Sequence, residues 1–251
     1  MGYTVDVQSR VARVTLDAPP LNVLTTALQT SLGAEIARLN ERTDFNVLVI
    51  GSSLSAFSAG ADVREHAGRE NVAAMLKAAH GLIAALLDCP VPTLAAVNGT
   101  CLGGAFELAL ACDGIIARQN AKLGFPEISL AGFPPAGLVL GAWKLPPLLE
   151  SELVTRGESL TAHELAARGA GIAAVPDGEF DARISATCAR YASLSRAALV
   201  ETTRLLRPGA AARFVAQVGP VETAYLERIL PSPDAAEGVK AFLEKRPPKW
   251  V

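Results

Sequence analysis

Three short segments combine small residues with carboxylates in a pattern that could do chemistry. Residues 56–62 read AFSAGAD, residues 98–107 read NGTCLGGAFE, and residues 123–128 read LGFPEI. The first two segments follow apolar runs typical of buried strands, and each leads into a predicted helix. Together the segments supply glycine-rich backbone and two glutamates, Glu107 and Glu127.

The two glycine-rich loops could present backbone amides to one small negative atom. The first amides of a helix have no intrahelical acceptor, and the helix dipole favours negative charge there. Glycine lets a ligand approach the backbone closely. This arrangement suits a thioester oxygen that becomes an enolate, for which one such donor contributes about 3 kcal/mol. Alternatively, Gly60, Gly103 and Gly104 serve tight turns or close packing. The spacing fits neither nucleotide-binding glycine motif.

The two glutamates lie in apolar surroundings. Glu107 stands between Phe106 and Leu108, and Glu127 follows Phe125 and Pro126. A buried carboxylate has a raised pKa, which suits a group that handles protons. Two such groups could hold one water and divide acid and base duties between them. The alternatives are a surface glutamate in the first turn of a helix for Glu107 and a solvated turn for Glu127.

Other reactive side chains give weaker signals. The serines of residues 52–58 form no GxSxG motif, and the three histidines are isolated, which favours surface or helix positions over metal ligation. We therefore predict no metal site. The four cysteines form no CxxC pair, which favours buried, reduced thiols over disulfides.

Composition predicts a globular protein of one main body with a helical appendage. The chain has 251 residues, of which 50% are hydrophobic, and a formal net charge of -2. This balance gives no global attraction for nucleic acid or an anionic membrane. The first ten residues lack signal-peptide features, and the apolar stretch 91–117 is interrupted by Pro92, Glu107 and glycines. We expect a cytoplasmic protein that neither binds nucleic acid nor enters a membrane.

Periodicity predicts the elements that position these segments. Alternating residues 3–16 predict a hairpin with its turn at Gln8 and Ser9. Helices are predicted from Thr25 or Thr26 to Asn40, along the apolar face from Val72 to Leu86, and over about 104–112. Strands are predicted over 45–50, 93–97, 114–117 and 122–125, and mostly helix beyond Pro134. The pattern is α/β in the first half and helical afterwards.

Four stretches carry a resemblance to a known family: FSAGADVREH, VPTLAAVNGTCLGGAFELALACDGIIA, AKLGFPEISLAGFPPAG and AAEGVKAFLEKR. At these motifs, and over nearly the whole chain, the sequence resembles the crotonase (enoyl-CoA hydratase/isomerase) superfamily. The resemblance implies an α/β fold, a ββα superhelix over residues 1–190, with a helical trimerisation region over 191–251. It also implies homotrimers or homohexamers, an acyl-CoA substrate, and no cofactor beyond the coenzyme A of that substrate.

The resemblance also implies roles for particular residues. The amides of Ala61 and Gly104 correspond to an oxyanion hole. Glu127 corresponds to the donor of a proton to the α-carbon, and Glu107 to the group that positions or deprotonates water. The remaining implied positions bind substrate: Ala59, Asp62, Val63 and Arg64 along the coenzyme A path, and Phe242 and Lys245 toward the ligand of a neighbouring subunit.

Retention of both glutamates favours hydration over isomerisation or hydrolysis. Pro135 stands where related hydratases have glycine, which removes an amide and stiffens the wall of the acyl pocket. With APPLNVL at residues 18–24, this resembles the cyclohexa-1,5-diene-1-carbonyl-CoA hydratases. A short-chain enoyl-CoA hydratase is the alternative within the class. An isomerase or ring-opening hydrolase of the same fold, and a non-catalytic scaffold, are the other hypotheses.

Overall fold

Two sheets and ten α-helices organise residues 2–251, which the computed structural model describes. The strands are β1 (Tyr3–Gln8), β2 (Val11–Leu16), β3 (Val47–Ser52), β4 (Thr93–Val97), β5 (Cys101–Leu102), β6 (Gly114–Arg118), β7 (Lys122–Gly124), β8 (Ser159–Thr161) and β9 (Ile172–Val175). The helices are α1 (Thr26–Asn40), α2 (Arg69–Leu87), α3 (Gly104–Ala111), α4 (Pro135–Lys144), α5 (Pro147–Arg156), α6 (Ala162–Ala167), α7 (Phe180–Ala192), α8 (Arg196–Leu206), α9 (Ala210–Ala224) and α10 (Pro233–Leu243). Short 3-10 turns lie at Val63–His66, Pro126–Leu130 and Asp177–Glu179, and a π-helical turn at Tyr225–Ile229.

The larger sheet has the strand order β1-β2-β3-β4-β6-β9. Only β1 and β2 are antiparallel, and the other neighbours run parallel. Apolar clusters cover both faces of this sheet, which explains why its inner strands are continuous apolar runs. The carboxyl ends of β3 and β4 meet at the same edge, so the two glycine-rich loops that follow these strands lie together.

The smaller sheet joins the second segment to the third. It has the order β5-β7-β8, and β5 pairs in parallel with β7. The amide of Gly103, just past β5, donates a 2.9 Å hydrogen bond to the carbonyl of Gly124 at the end of β7. The loop that carries Glu127 is thereby fixed beside the start of α3.

The structure corrects three details of the sequence prediction. The hairpin turn is at Ser9 and Arg10, whose positive φ values of 49° and 63° suit a tight hairpin, and not at Gln8 and Ser9. The strand predicted over 45–50 is β3, two residues later. The region beyond Pro134 also contains β8 and β9. The latter is an edge strand of only four small apolar residues, too short to show a period.

The C-terminal helices pack onto the rest of the chain. From α9, Ala210, Phe214 and Val218 enter the main apolar core. The boundary predicted after residue 190 falls within α7, and the division into two regions stays a prediction. Helix α2 is long and apolar enough to span a bilayer, but its apolar face packs in the core against α1 and α9. The four cysteines are buried and unpaired.

Candidate active site

The first glycine-rich loop is held between β5 and the segment before α1. Backbone hydrogen bonds run from Leu24 to the carbonyl of Gly60 (2.9 Å) and from Ser58 to the carbonyl of Thr100 (2.9 Å). The Asn22 side chain is 0% exposed and donates to the Ser52 hydroxyl (2.7 Å) and the carbonyl of residue 57 (2.9 Å). These bonds fix the backbone that leads to Ala61.

The amides of Ala61 and Gly104 lie close together. A methyl carbon placed on Gly104 would be 3.8 Å from the Ala61 nitrogen, and one placed on Gly60 would be 3.6 Å from the Gly104 nitrogen. Gly104 is the first residue of α3, so its amide has no intrahelical acceptor. Within residues 2–251 neither amide donates a hydrogen bond. Two free donors therefore face the same small volume.

Glu107 lies on the first turn of α3 and is 5% exposed. Its Oε1 accepts a 2.7 Å hydrogen bond from the amide of Gly137, at the start of α4. Burial raises the pKa of Glu107 to about 7, and the amides of Gly137 and Ala136 oppose that rise by stabilising the ionised form. Its other oxygen, Oε2, faces Gly104, where a methyl carbon would be 3.7 Å away.

Glu127 approaches the same point from the 3-10 turn Pro126–Leu130. A methyl carbon on Gly103 would be 2.5 Å from Glu127 Oε1, so a side chain at this position would clash with the carboxyl group. The positive φ of 54° at Gly103 also disfavours any residue other than glycine. The residue is half-buried, yet its Oε2 is inaccessible and meets no hydrogen-bond donor in residues 2–251. Burial, and secondarily the charge of Glu107, raise the pKa of Glu127 to about 8.

The site thus gathers two free amides and two carboxyl groups around Gly103 and Gly104. The amides can stabilise a developing oxyanion. The carboxyl groups, with pKa values near neutrality, can exchange protons with a bound molecule.

Comparison with known proteins agrees with this geometry. Residues 6–251 match the family described as enoyl-CoA hydratase/isomerase. The chain belongs to this family. It is therefore a crotonase-superfamily enzyme of the enoyl-CoA hydratase type, a carbon–oxygen lyase that acts on acyl-CoA. The α/β fold with a helical C-terminal region, expected from the sequence, is confirmed.

Individual relatives resemble this crotonase-superfamily enzyme over almost their whole length. A cyclohexa-1,5-dienecarbonyl-CoA hydratase of Thauera aromatica is 33% identical over 247 residues, which cover 95% of this chain and 92% of that protein. A 2,3-dehydroadipyl-CoA hydratase of Escherichia coli (strain K12) is 33% identical over 254 residues, 98% and 97% of the two chains. The crystal structure of an enoyl-CoA hydratase from Mycobacterium avium subsp. paratuberculosis K-10 has a TM-score of 0.88 at 26% identity and covers 100% of this chain and 99% of its own.

The predicted coenzyme A path of this enzyme has residues on both sides of Ala61 in the sequence. Asp62 is buried and caps the 3-10 turn Val63–His66, and its carboxylate binds the Arg64 guanidinium, with 2.6 Å between Oδ2 and Nη2. This pairing lowers the pKa of Asp62. The Arg64 side chain is exposed and borders a cavity of about 460 Å³ that also touches Pro19 and Val23. Ala59 and Val63 are half-buried.

The other predicted contacts lie in different places. Pro135 is buried as the first residue of α4, next to the amides that hold Glu107. Phe242, 54% exposed, and Lys245 lie at and just beyond the end of α10, on the surface of their own chain. The structure therefore brings Ala61, Gly104, Glu107 and Glu127 together and leaves Phe242 and Lys245 outside that cluster.

Sequence reasoning missed four contributors to the site of this hydratase-type enzyme. The amides of Ala136 and Gly137 carry no side-chain signal, although the preceding Pro134-Pro135 pair marks the start of a helix and hence free amides. Asn22 gave no signal beyond an asparagine in a loop. Tyr225 lies far from the motifs in sequence and reaches the site only through the packing of the π-helical turn on α2.

Proposed function

We propose that this enzyme adds water across the conjugated double bond of an α,β-unsaturated or dienoyl coenzyme A thioester at the site around Gly103 and Gly104. The observation that carries the proposal is the convergence of Glu107 and Glu127 beside two free backbone amides. The thioester carbonyl accepts hydrogen bonds from Ala61 and Gly104, which stabilise enolate character in the transition state. The proposed step needs no redox group, because hydration changes no oxidation state overall, and coenzyme A enters as part of the substrate.

The two carboxyl groups divide the proton transfers. Glu107, ionised, takes a proton from water as the water oxygen bonds to the β-carbon. Glu127, protonated, gives a proton to the α-carbon, so that one water is added in total. Support comes from the raised pKa values, about 7 for Glu107 and about 8 for Glu127, which let both carboxyl groups exchange protons near neutral pH. Glu107 also has the two amides that favour its ionised form.

The substrate we favour is a cyclic dienoyl thioester such as cyclohexa-1,5-diene-1-carbonyl-CoA. One support is similarity to the hydratase of that name from Thauera aromatica. A second is the apolar wall beside Ala61, where Phe133 and Tyr225 meet edge to face with 5.1 Å between ring centroids. Pro135 stiffens the neighbouring wall. A linear enoyl thioester is the alternative, supported by comparable similarity to a 2,3-dehydroadipyl-CoA hydratase and to a probable enoyl-CoA hydratase.

We further propose that the enzyme works in the cytoplasm as a homotrimer or homohexamer in which Phe242 and Lys245 contact the ligand of a neighbouring subunit. Their exposure at the end of α10 leaves them free to do so. Sedimentation equilibrium measures the assembly. A monomer with full activity would contradict this part of the proposal.

The glutamate variants Glu107→Gln and Glu127→Gln test the mechanism. Each keeps the side-chain shape and removes the acid–base function, so we expect hydration to fall by at least about a hundredfold, the usual loss when a general acid or base is removed. Binding of a saturated acyl-CoA should change little. The measurement is conversion of linear and cyclic enoyl- and dienoyl-CoA thioesters in ¹⁸O-labelled water, followed by mass spectrometry.

The exposed Glu158→Gln serves as the matched control and should keep full activity, because within residues 2–251 the Glu158 side chain pairs only with Arg156 at the surface. Near-normal hydration by Glu127→Gln or Glu107→Gln would refute the role given to that residue. Isomerised product without labelled oxygen would favour an isomerase, and free coenzyme A would favour a hydrolase.

A further inference from the structure

Tyr225 places a buried phenol beside the two glutamates. The residue is 8% exposed and belongs to an apolar cluster with Val72, Met75 and Leu76 of α2, against which Ala61 and Phe133 also pack. A methyl carbon on Gly132 would be 3.2 Å from the Tyr225 hydroxyl and 3.4 Å from the carbonyl oxygen of Glu127. The phenol therefore lies in the wall that runs from the free Ala61 amide to the Glu127 loop.

The Tyr225 hydroxyl has no hydrogen-bond partner among the side chains and backbone of residues 2–251. Glu127 Oε2, on the loop that the phenol borders, is buried and also lacks a partner within residues 2–251. A buried polar atom without a partner costs about 1–3 kcal/mol. An unpaired phenol O–H in the same wall as this unpaired carboxyl oxygen indicates that a bound oxygen completes the hydrogen bonds of both.

The local backbone supports the same conclusion. Tyr225 begins the π-helical turn, closed by the 2.9 Å hydrogen bond from the Leu230 amide to the Tyr225 carbonyl. Such widened turns insert one extra residue into a helix and occur frequently at functional sites. Here the widened turn follows α9 directly and carries the phenol into the apolar cluster.

We propose that Tyr225 is a third catalytic side chain, whose O–H donates a hydrogen bond to the oxygen atom that the reaction adds to the acyl group. The inference rests on the hydration proposed above and names one more contact of the same reacting oxygen. Burial and the charges of Glu127 and Glu107 raise the pKa of Tyr225 to about 12, so the phenol keeps its proton and acts as a donor. It orients the water during attack and holds the hydroxyl of the product.

Binding of two probes that differ in one oxygen tests this contact. In the Glu127→Gln background, which prevents turnover, Tyr225→Phe should weaken 3-hydroxybutyryl-CoA at least tenfold in calorimetry. Butyryl-CoA, which lacks the hydroxyl, should bind within twofold of the Glu127→Gln parent. In the otherwise native enzyme, Tyr225→Phe should lower kcat at least tenfold with little change in KM. Tyr191→Phe, which removes a hydroxyl on α7 in the cluster on the other face of the larger sheet, is the control and should change none of these values.

The outcomes separate this inference from the hydratase proposal. If the native enzyme hydrates its substrate but Tyr225→Phe weakens both probes equally, or neither, the contact with the added oxygen is refuted and hydration stands. If the native enzyme hydrates no enoyl-CoA in the screen above, the proposed function fails first. A lower melting temperature of Tyr225→Phe with an unchanged ratio of the two affinities assigns the phenol to packing and also overturns the inference.

Discussion

At the scale of single residues, the burial of the ionisable Glu107 carboxyl group costs folding free energy. Its carboxyl group is removed from water and accepts a 2.7 Å hydrogen bond from the Gly137 amide. The Ala136 amide also stabilises its ionised form. The two amides offset only part of the loss of hydration, because the pKa remains raised to about 7. A carboxylate that is readily reprotonated near neutral pH is what a general base requires.

This cost predicts a pH-dependent gain in stability for Glu107→Gln. The pKa is about 7 in the folded protein and about 4.3 in the unfolded chain, so the native enzyme loses stability as pH rises from the lower value through the upper one. Glutamine does not ionise and can still accept from Gly137. We expect Glu107→Gln to exceed the native enzyme by up to about 3 kcal/mol at pH 8.5 and by little at pH 4.5.

Urea unfolding at both pH values measures the difference. The surface variant Glu158→Gln should show no such trend. Equal stability of native enzyme and Glu107→Gln at pH 8.5 would contradict the burial of an ionisable group at this position.

At the scale of elements, the start of α3 requires a residue without a side chain at Gly103. Gly103 takes a φ of 54° so that the Gly104 amide points into the site and Glu127 Oε1 can occupy the space of a missing side chain. The alternative that this glycine merely allows a tight turn accounts for the φ but not for the contact with Glu127. Gly103 thus determines both the backbone turn before α3 and the position of the Glu127 carboxyl group.

Gly103→Ala should impair catalysis more than folding. The added methyl, 2.5 Å from Glu127 Oε1, must displace that carboxyl group, so we expect kcat to fall ten- to a hundredfold. The backbone at φ 54° and ψ -127° is one that non-glycine residues rarely adopt, which adds a loss of about 1–3 kcal/mol in unfolding free energy. The control Gly81→Ala places a methyl in open space on α2 and should keep activity with equal or greater stability. Normal kcat in Gly103→Ala would show that Glu127 does not depend on this position.

The sequence allowed most of these elements to be predicted, because their signals are local. Apolar runs identified β3 and β4, glycine motifs identified the loops, and helical spacing identified α1, which begins and ends as predicted. What could not be predicted depends on contacts between distant segments. The amides that hold Glu107 come from residue 137, and the phenol beside Glu127 comes from residue 225. Neither contact leaves a periodic or motif signal, and β9 is too short to give one.

At the scale of the whole molecule, Arg207 ties the C-terminal helices to the body that carries the site. Its guanidinium donates to the carbonyls of Leu87, Cys89 and Val91, at the end of α2 and the approach to β4. It also lies 3.1 Å from Asp113, which follows α3. Arg207, in the short connection between α8 and α9, thus contacts the end of α2, the segment before β4 and a residue that follows α3.

Arg207→Met should destabilise the whole fold. Removing a largely buried cation leaves three carbonyls without their donor and the Asp113 carboxylate without its ionic partner, for which we expect a loss of about 3–5 kcal/mol in urea unfolding. Arg207→Lys should recover little, since an ammonium cannot reproduce the planar fork. The exposed Arg204→Met, whose only ionic partner in residues 2–251 is Glu201, should change stability by less than about 1 kcal/mol. If Arg207→Met lowered the free energy of unfolding by less than about 1 kcal/mol, the stabilising role given to Arg207 would be contradicted.

Helix α4 has two roles in the proposed site. Its first turn contains Pro135, which we propose lies in the wall next to the acyl group, and the same turn supplies the amides that influence the acidity of Glu107. Evolution toward a bulkier or slimmer substrate by reshaping this turn would move the pH optimum with it. We therefore expect the substrate selectivity of the enzyme and the pKa of Glu107 to change together. Relatives that differ at this turn should differ in both properties.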